Sequence, residues 1–253
     1  MKKWTGNRKV SKSAKRYWQL AAGILVLACS AAAQSTVSMT LTGVGDGQTL
    51  GDVYVDPYTA TVNGIANTTV ICDDWSNNSY LDESWTATLL SVPSIGSSSP
   101  GTPMFYNGSN QGLYNELAWL GSQLLANPTN PTTQTEVSFA IWDLTYGVNG
   151  TTEESPAPLT FLADNLQGGV TNSEYTATTT LISEAAGETG YNAAGWEVLT
   201  PVSGTSIPLA DGIPQEFLVY TPEPSGAMLL GVDMLGVAFL AFFFRRWLLR
   251  QPN

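Results

Sequence analysis

The chemistry open to this chain is set by one thiol, two groups of carboxylates and a set of tryptophans. Cys72 sits in the run Val70-Ile71-Cys72-Asp73-Asp74-Trp75. A lone thiol acts as a nucleophile when it ionises, or as a small apolar side chain when it is buried in a strand. The other cysteine, Cys29, lies in a segment read below as removed on export, which leaves Cys72 without a partner for an intramolecular disulfide. Asp46, Asp52 and Asp56 lie among glycines, while Asp73, Asp74, Asp82 and Glu83 bracket the turn after the cysteine. Hard cations such as Ca²⁺ take several such oxygens, so Asp73, Asp74, Asp82 and Glu83 are the candidate calcium ligands. Neither group has EF-hand spacing, and solvated surface acids are the ordinary alternative. Two carboxylates at a fixed separation also hydrolyse glycosides. Trp75, Trp85, Trp119, Trp142 and Trp196 could line a carbohydrate site or pack in a core.

Other chemistry is excluded by what is missing. The chain has no His, and its Lys and Arg all lie before Tyr17 or after Phe244. The intervening polypeptide cannot assemble a Ser-His-Asp or Cys-His set, a His-ligated zinc, a Schiff-base lysine or an arginine clamp on phosphate. An all-anionic surface repels nucleic acid. Ion pairs cannot contribute there either, so stability must come from apolar burial and hydrogen bonds. No motif calls for a cofactor, and the expected role is non-enzymatic.

The run around Cys72, followed by Ala140-Ile141-Trp142, resembles the thioester domains of bacterial surface adhesins. In that family a Cys after an apolar residue on a strand is bonded to a Gln two positions before Ala-Ile-Trp, and the thioester reacts with host amines. The matching position here is Ser138, which has no carboxamide. Gln134 lies one helical turn earlier, on the same face. The resemblance implies the family's fold over Tyr54 to Gly147, and a covalent adhesin through Cys72 and Gln134 is one alternative function. A carboxylate-dependent glycoside hydrolase is another.

The two ends read as addresses. Seven cations between Lys2 and Arg16 precede an apolar stretch, Trp18 to Ala28, and then Ala31-Ala32-Ala33. That order is a secretory signal, with Ala31 and Ala33 at the cleavage site and residues 1–33 as the signal peptide, delivered to the Sec translocon. At the other end Thr221-Pro222-Glu223-Pro224-Ser225 precedes an apolar stretch, Gly226 to Phe244, then Arg245 and Arg246. The stretch is long enough for a transmembrane helix over 226–244, and the two arginines hold its C-terminus in the cytoplasm. Asp233 in mid-span costs about 2.5 kcal/mol or more on insertion. Residues 221–250 resemble the PEP-CTERM sorting signal, with Pro222, Glu223 and Pro224 matching its motif. The resemblance implies an exosortase-type membrane enzyme as partner and an ectodomain over 34–220 that is anchored in the inner membrane and lies outside the cytoplasm, or is released to the cell surface or matrix after processing. There, exopolysaccharide is the partner such a protein meets.

The elements that position Cys72 and the acids follow from periodicity. Val37 to Val44, Val53 to Val62, Ile65 to Asp73 and Ser84 to Val92 are rich in Thr, Val and aromatics, and turn residues separate them, which predicts four strands. Leu113, Leu117, Leu120 and Leu124 recur at helical spacing up to Asn127-Pro128. Thr133 and Glu136 form a capping box for a second helix ending at Gly147, and a third follows Thr171 and Glu174. Trp196 to Pro201 and Glu216 to Thr221 supply returning strands. The expected fold is mainly β with a helical insertion over about 111–186 (α+β), a β-sandwich or barrel.

Overall fold

A computed structural model describes residues 35–96, 102–148, 156–202 and 212–221. Residues 1–33, read above as a signal peptide and including Ala31 and Ala33, lie outside the described residues. So do Pro222, Glu223, Pro224, the apolar stretch 226–244, Arg245 and Arg246. Among the described residues no helix is long and apolar enough to cross a membrane.

Among the described residues eight strands and four α-helices form in the order β1 (Ser35–Gly43), β2 (Thr49–Leu50), β3 (Val53–Tyr54), β4 (Tyr58–Val62), β5 (Ile65–Cys72), β6 (Ser84–Ser91), α1 (Gln111–Ala126), α2 (Pro131–Thr145), α3 (Pro158–Asn165), α4 (Ser173–Ala185), β7 (Trp196–Pro201) and β8 (Phe217–Tyr220). Six strands close into an antiparallel barrel in the order β1-β4-β5-β8-β7-β6, and β2 pairs with β3 as a separate ribbon. Of the two architectures expected, the barrel is the one formed, and the helices enter between β6 and β7.

The period-2 alternation of the strands divides the core into two parts. Val70, Cys72, Phe217, Val219 and Leu199 join Met39, Leu41, Ala60 and Trp85 in one cluster, the filling of the barrel. Their immediate neighbours Ile71, Leu218 and Val198 belong to the other cluster, between the barrel wall and the helices, with Leu117, Leu120, Phe139 and Ile141. Cys72 therefore belongs to the barrel interior.

Three local details differ from the sequence reading. The expected strand Val53 to Val62 is broken, because Pro57 cannot donate to a ladder and the chain turns at Val55-Asp56-Pro57 between β3 and β4. The second helix starts at Pro131 rather than behind a Thr133 cap: Asn130 accepts hydrogen bonds from the amides of Thr132 and Thr133, and proline suits the first helical position. Likewise Asn172, not Thr171, caps α4 through the amide of Glu174.

Candidate functional site

Three side chains on one face of α2 hold the barrel wall, one at Val55 ahead of β4 and two at the end of β5. Ser138 Oγ donates to the Val55 carbonyl at 2.6 Å, Trp142 Nε1 to the Cys72 carbonyl at 3.0 Å, and Thr145 Oγ1 to the Asp73 carbonyl at 2.7 Å. Their spacing of four and three residues is the helical repeat that puts side chains in a row. The row satisfies carbonyls left open where the β4 approach and β5 stop pairing. Ser138, at the position where the thioester resemblance asks for glutamine, is thus engaged with backbone.

Gln134 and Cys72 are not brought together by any bond among the described residues. Gln134 Nε2 donates to the Pro128 carbonyl at 2.6 Å, at the start of α2. The residue of α2 that reaches Cys72 is Trp142, eight positions and about 12 Å further along the helix axis. Cys72 Sγ is buried and donates to the Asp74 carbonyl at 3.3 Å. Burial, with the Asp74 charge next in weight, pushes the thiol's pKa well above its ordinary value, so it is a weak nucleophile as it stands.

Beyond Cys72 the chain carries two acids with opposite surroundings. Asp74 is fully hydrogen-bonded: its Oδ1 accepts from the amides of Ser76 (2.9 Å) and Asn77 (3.2 Å), and its Oδ2 from Asn77 Nδ2 (2.7 Å). Asp73 is equally buried, but no donor reaches its Oδ1 or Oδ2 among the described residues. What it faces is the carboxyl of Glu216, just before β8, and its own amide donates to the Glu216 carbonyl at 3.4 Å. Glu216 Oε1 accepts from Tyr114 Oη (2.6 Å), and its Oε2 from the Met104 amide (2.7 Å) and Thr200 Oγ1 (2.5 Å).

Two carboxyls can hydrogen-bond to each other only through a proton that one of them carries. Burial raises the Glu216 pKa to about 7, against the pull of the Met104, Thr200 and Tyr114 donors. Burial, and then the Glu216 charge, push Asp73 well above the usual carboxylate range. The pair is fully enclosed, each residue at 0 % exposure, so neither acid faces a cleft that a glycoside could enter.

The other sequence candidates are dispersed. Glu83 Oε2 accepts from the Tyr80 amide at 3.0 Å, and Asp82 is exposed at a positive φ of 67° in the same turn. Asp56 Oδ2 accepts from the Gly47 amide at 2.7 Å, while Asp46 and Asp52 are exposed. Among the described residues no three acidic or cysteine side chains come together to hold a metal ion, so Asp73, Asp74, Asp82 and Glu83 do not form one ligand set. Trp85 stacks on Phe217 inside the barrel and Trp196 packs on Tyr220.

Trp75 and Trp142 do converge. Their ring centroids are 5.2 Å apart, and Trp75 also meets Phe161 at 5.3 Å and Phe139 at 5.7 Å. Trp75 Nε1 donates to the Pro156 carbonyl at 3.0 Å, which fixes the indole. Beside this aromatic group lies a surface cavity of about 240 Å³. Its lining includes the aromatic residues Trp75, Trp142 and Phe161 and the polar residues Asp74, Asn77, Asn78 and Gln215. Gln215 is held there by its Nε2, which donates to the Asp74 carbonyl at 2.9 Å, and by its amide, which donates to Ser79 Oγ at 3.0 Å.

Glu216, Tyr114 and Thr200 were not distinguishable as site residues in the sequence. Each looks like part of an ordinary strand or helix, and only the closure of the barrel brings them to Asp73.

No family model matches the chain, and no curated protein matches it. Among solved structures, it is similar to the N-terminal domain of the pilus tip adhesin Cpa of Streptococcus pyogenes, with 12% identity and a TM-score of 0.38 over 76% of this chain and 97% of that one.

Proposed function

We propose that this chain is an exported, non-enzymatic binding protein of the cell surface or extracellular matrix, and that the cavity beside Trp75 takes a neutral saccharide. The sorting reading assigns residues 1–33 to the Sec translocon and Pro222, Glu223 and Pro224 to an exosortase-type enzyme. The observation that carries the binding reading is the cavity itself, which the aromatic residues Trp75, Trp142 and Phe161 and the amide residues Asn77, Asn78 and Gln215 line together. Rings cover the apolar faces of a sugar, and amides both donate to and accept from its hydroxyls. The chain has no cation between Tyr17 and Phe244, which disfavours uronate, sulfated or phosphorylated sugars.

The test is calorimetric titration of the full-length chain with cellohexaose and with an oligogalacturonate of the same length. Binding of the neutral oligomer is expected, weakened about tenfold in Trp75→Ala, the worth of one aromatic contact near 1.4 kcal/mol. Trp119→Ala, a half-buried tryptophan outside the cavity, leaves it unchanged. A preference for the acidic oligomer, or equal binding by wild type and Trp75→Ala, rules out the reading. Fractionation of cells carrying the chain with and without Pro222–Pro224 tests the sorting half: retention of both forms in the cytosol defeats it.

A further inference from the structure

We propose that the Trp75 cavity takes a single unit of a longer neutral glycan chain, and that the exposed side chains of Tyr54, Tyr80, Leu81 and Ile213 on its rim carry the units that continue beyond it. This rests on the saccharide reading above for the chemistry of the ligand, and adds its length and the residues that read it.

Size is the first argument. A cavity of about 240 Å³ lies below the range of roughly 300–1,000 Å³ that encloses an ordinary small-molecule ligand. A saccharide of several units that enters it must therefore leave most of its length on the surface outside.

The position of the exposed apolar side chains is the second argument. Exposed ones scattered singly are ordinary, whereas their concentration around one cavity marks a contact surface. Among the described residues seven large apolar side chains are exposed, and four of them flank residues that line this cavity. Tyr54 (40 % exposed) follows the lining residue Val53, and Ile213 (52 %) comes two positions before Gln215. Tyr80 (47 %) and Leu81 (43 %) come two and three positions after Asn78. Three residues of chain span at most about 10–11 Å, so all four lie near the cavity's edge.

The backbone that carries the two tyrosines is fixed to the cavity lining. Tyr58 Oη, on a residue that lines the cavity, donates to the Tyr54 carbonyl at 3.4 Å. The Gln215 amide donates to Ser79 Oγ at 3.0 Å, which ties the turn just before Tyr80 to the approach to β8. Tyr80 is held within that turn through both of its backbone groups. Its amide donates to Glu83 Oε2 at 3.0 Å, and its carbonyl accepts from the Glu83 amide at 3.3 Å. The rings thus stand on a preset frame, which keeps the ordering cost of binding low. Asp52 and Asp82 are exposed beside Val53 and Leu81, and no Lys or Arg lies between Tyr17 and Phe244 to offset them. Such a rim repels an anionic chain and leaves a neutral one free to lie against the rings.

The test is calorimetric titration of the full-length chain with cellobiose and with cellohexaose. Wild type is expected to bind the hexamer about tenfold more tightly than the dimer, or better. Tyr54→Ala and Tyr80→Ala each weaken the hexamer about two- to tenfold, the worth of one ring contact, and leave the dimer unchanged. Both substitutions truncate exposed side chains and keep the backbone bonds described above, and circular dichroism checks that the fold is retained. Trp75→Ala weakens both oligomers. Equal wild-type affinity for dimer and hexamer, with both weakened by Trp75→Ala, overturns the rim and leaves the cavity reading intact. A hexamer preference that survives in full in the Tyr54→Ala/Tyr80→Ala double variant also overturns the rim, because the gain then comes only from the number of ways a longer chain can enter the cavity. Absence of binding of either oligomer to wild type overturns both.

Discussion

Replacing Glu216 with glutamine keeps the shape of the side chain and most of its hydrogen bonds but removes its titration. The consequence for stability can be worked out from its surroundings. Burial raises the Glu216 pKa from 4.5 to about 7 in the folded chain, and the unfolded chain returns it to the ordinary value. A raised carboxyl pKa means that the folded state holds its proton more tightly than the unfolded state. The contribution is therefore complete below about pH 4.5, declines as the pH rises, and is gone above about 7. The span of about 2.5 pH units is worth roughly 3 kcal/mol at about 1.4 kcal/mol per unit. Asp73 is shifted in the same direction and adds to the trend. Each resolved carboxyl shift among the described residues is also upward, at Asp56, Asp74, Glu116, Glu136 and Asp143, with burial as the first cause. The wild-type chain should accordingly lose stability between pH 5 and pH 8, the reverse of a protein whose carboxylates are paired with cations. The assay is urea denaturation followed by tryptophan fluorescence at both pH values. Glu216→Gln should show a pH dependence smaller by about 2–3 kcal/mol, or roughly 4–12 °C in Tm for a domain of this size. Wild-type stability that rises from pH 5 to pH 8, or a Glu216→Gln profile parallel to wild type, refutes the reasoning.

Trp142→Phe keeps a ring between the barrel and Trp75 but removes the donor to the Cys72 carbonyl, so it should cost about 1–3 kcal/mol in a urea titration. Gly121→Ala places a methyl 2.5 Å from the Trp196 ring, and overpacking of this kind should cost about 1–3 kcal/mol, read as a lowered Tm. The Cys72 thiol should resist iodoacetamide at pH 8 in the folded chain and react once urea is added, followed by mass spectrometry of its peptide; labelling of the folded chain at the rate of free cysteine contradicts its burial.

The strands around Cys72 were legible because Val and Thr alternate there, and the same alternation that places Val70 and Cys72 inside the barrel places Ile71 against the helices. Pro57 shows where composition misleads: the residues of Val53 to Val62 suit a strand, but one missing amide splits it. The eight-residue helix α3 went unseen because two turns are too short for a 3.6-residue period to stand out. The acid pair was hidden for a different reason. Tyr114 and Glu216 are 102 residues apart, and Gln215 meets Asp74 across 141. Asp73 was visible as one of four clustered acids, yet its partner is none of its sequence neighbours. A local cluster of charges says which acids are near in the chain, whereas pKa and reactivity depend on which are near in space.

Every strand of the six-stranded barrel is hydrogen-bonded on both sides, and the outlying β2–β3 ribbon is two residues deep. Closure is uneven, however: among the described residues β8 reaches β5 only from Val70 to Cys72, so the exposed start of β5, Ile65–Thr69, is paired with β4 alone and keeps one backbone edge that another strand could extend. Where the described ladder is paired on both sides, a partner must be met by side chains, with the selectivity, and the sensitivity to point substitution, that such contacts carry.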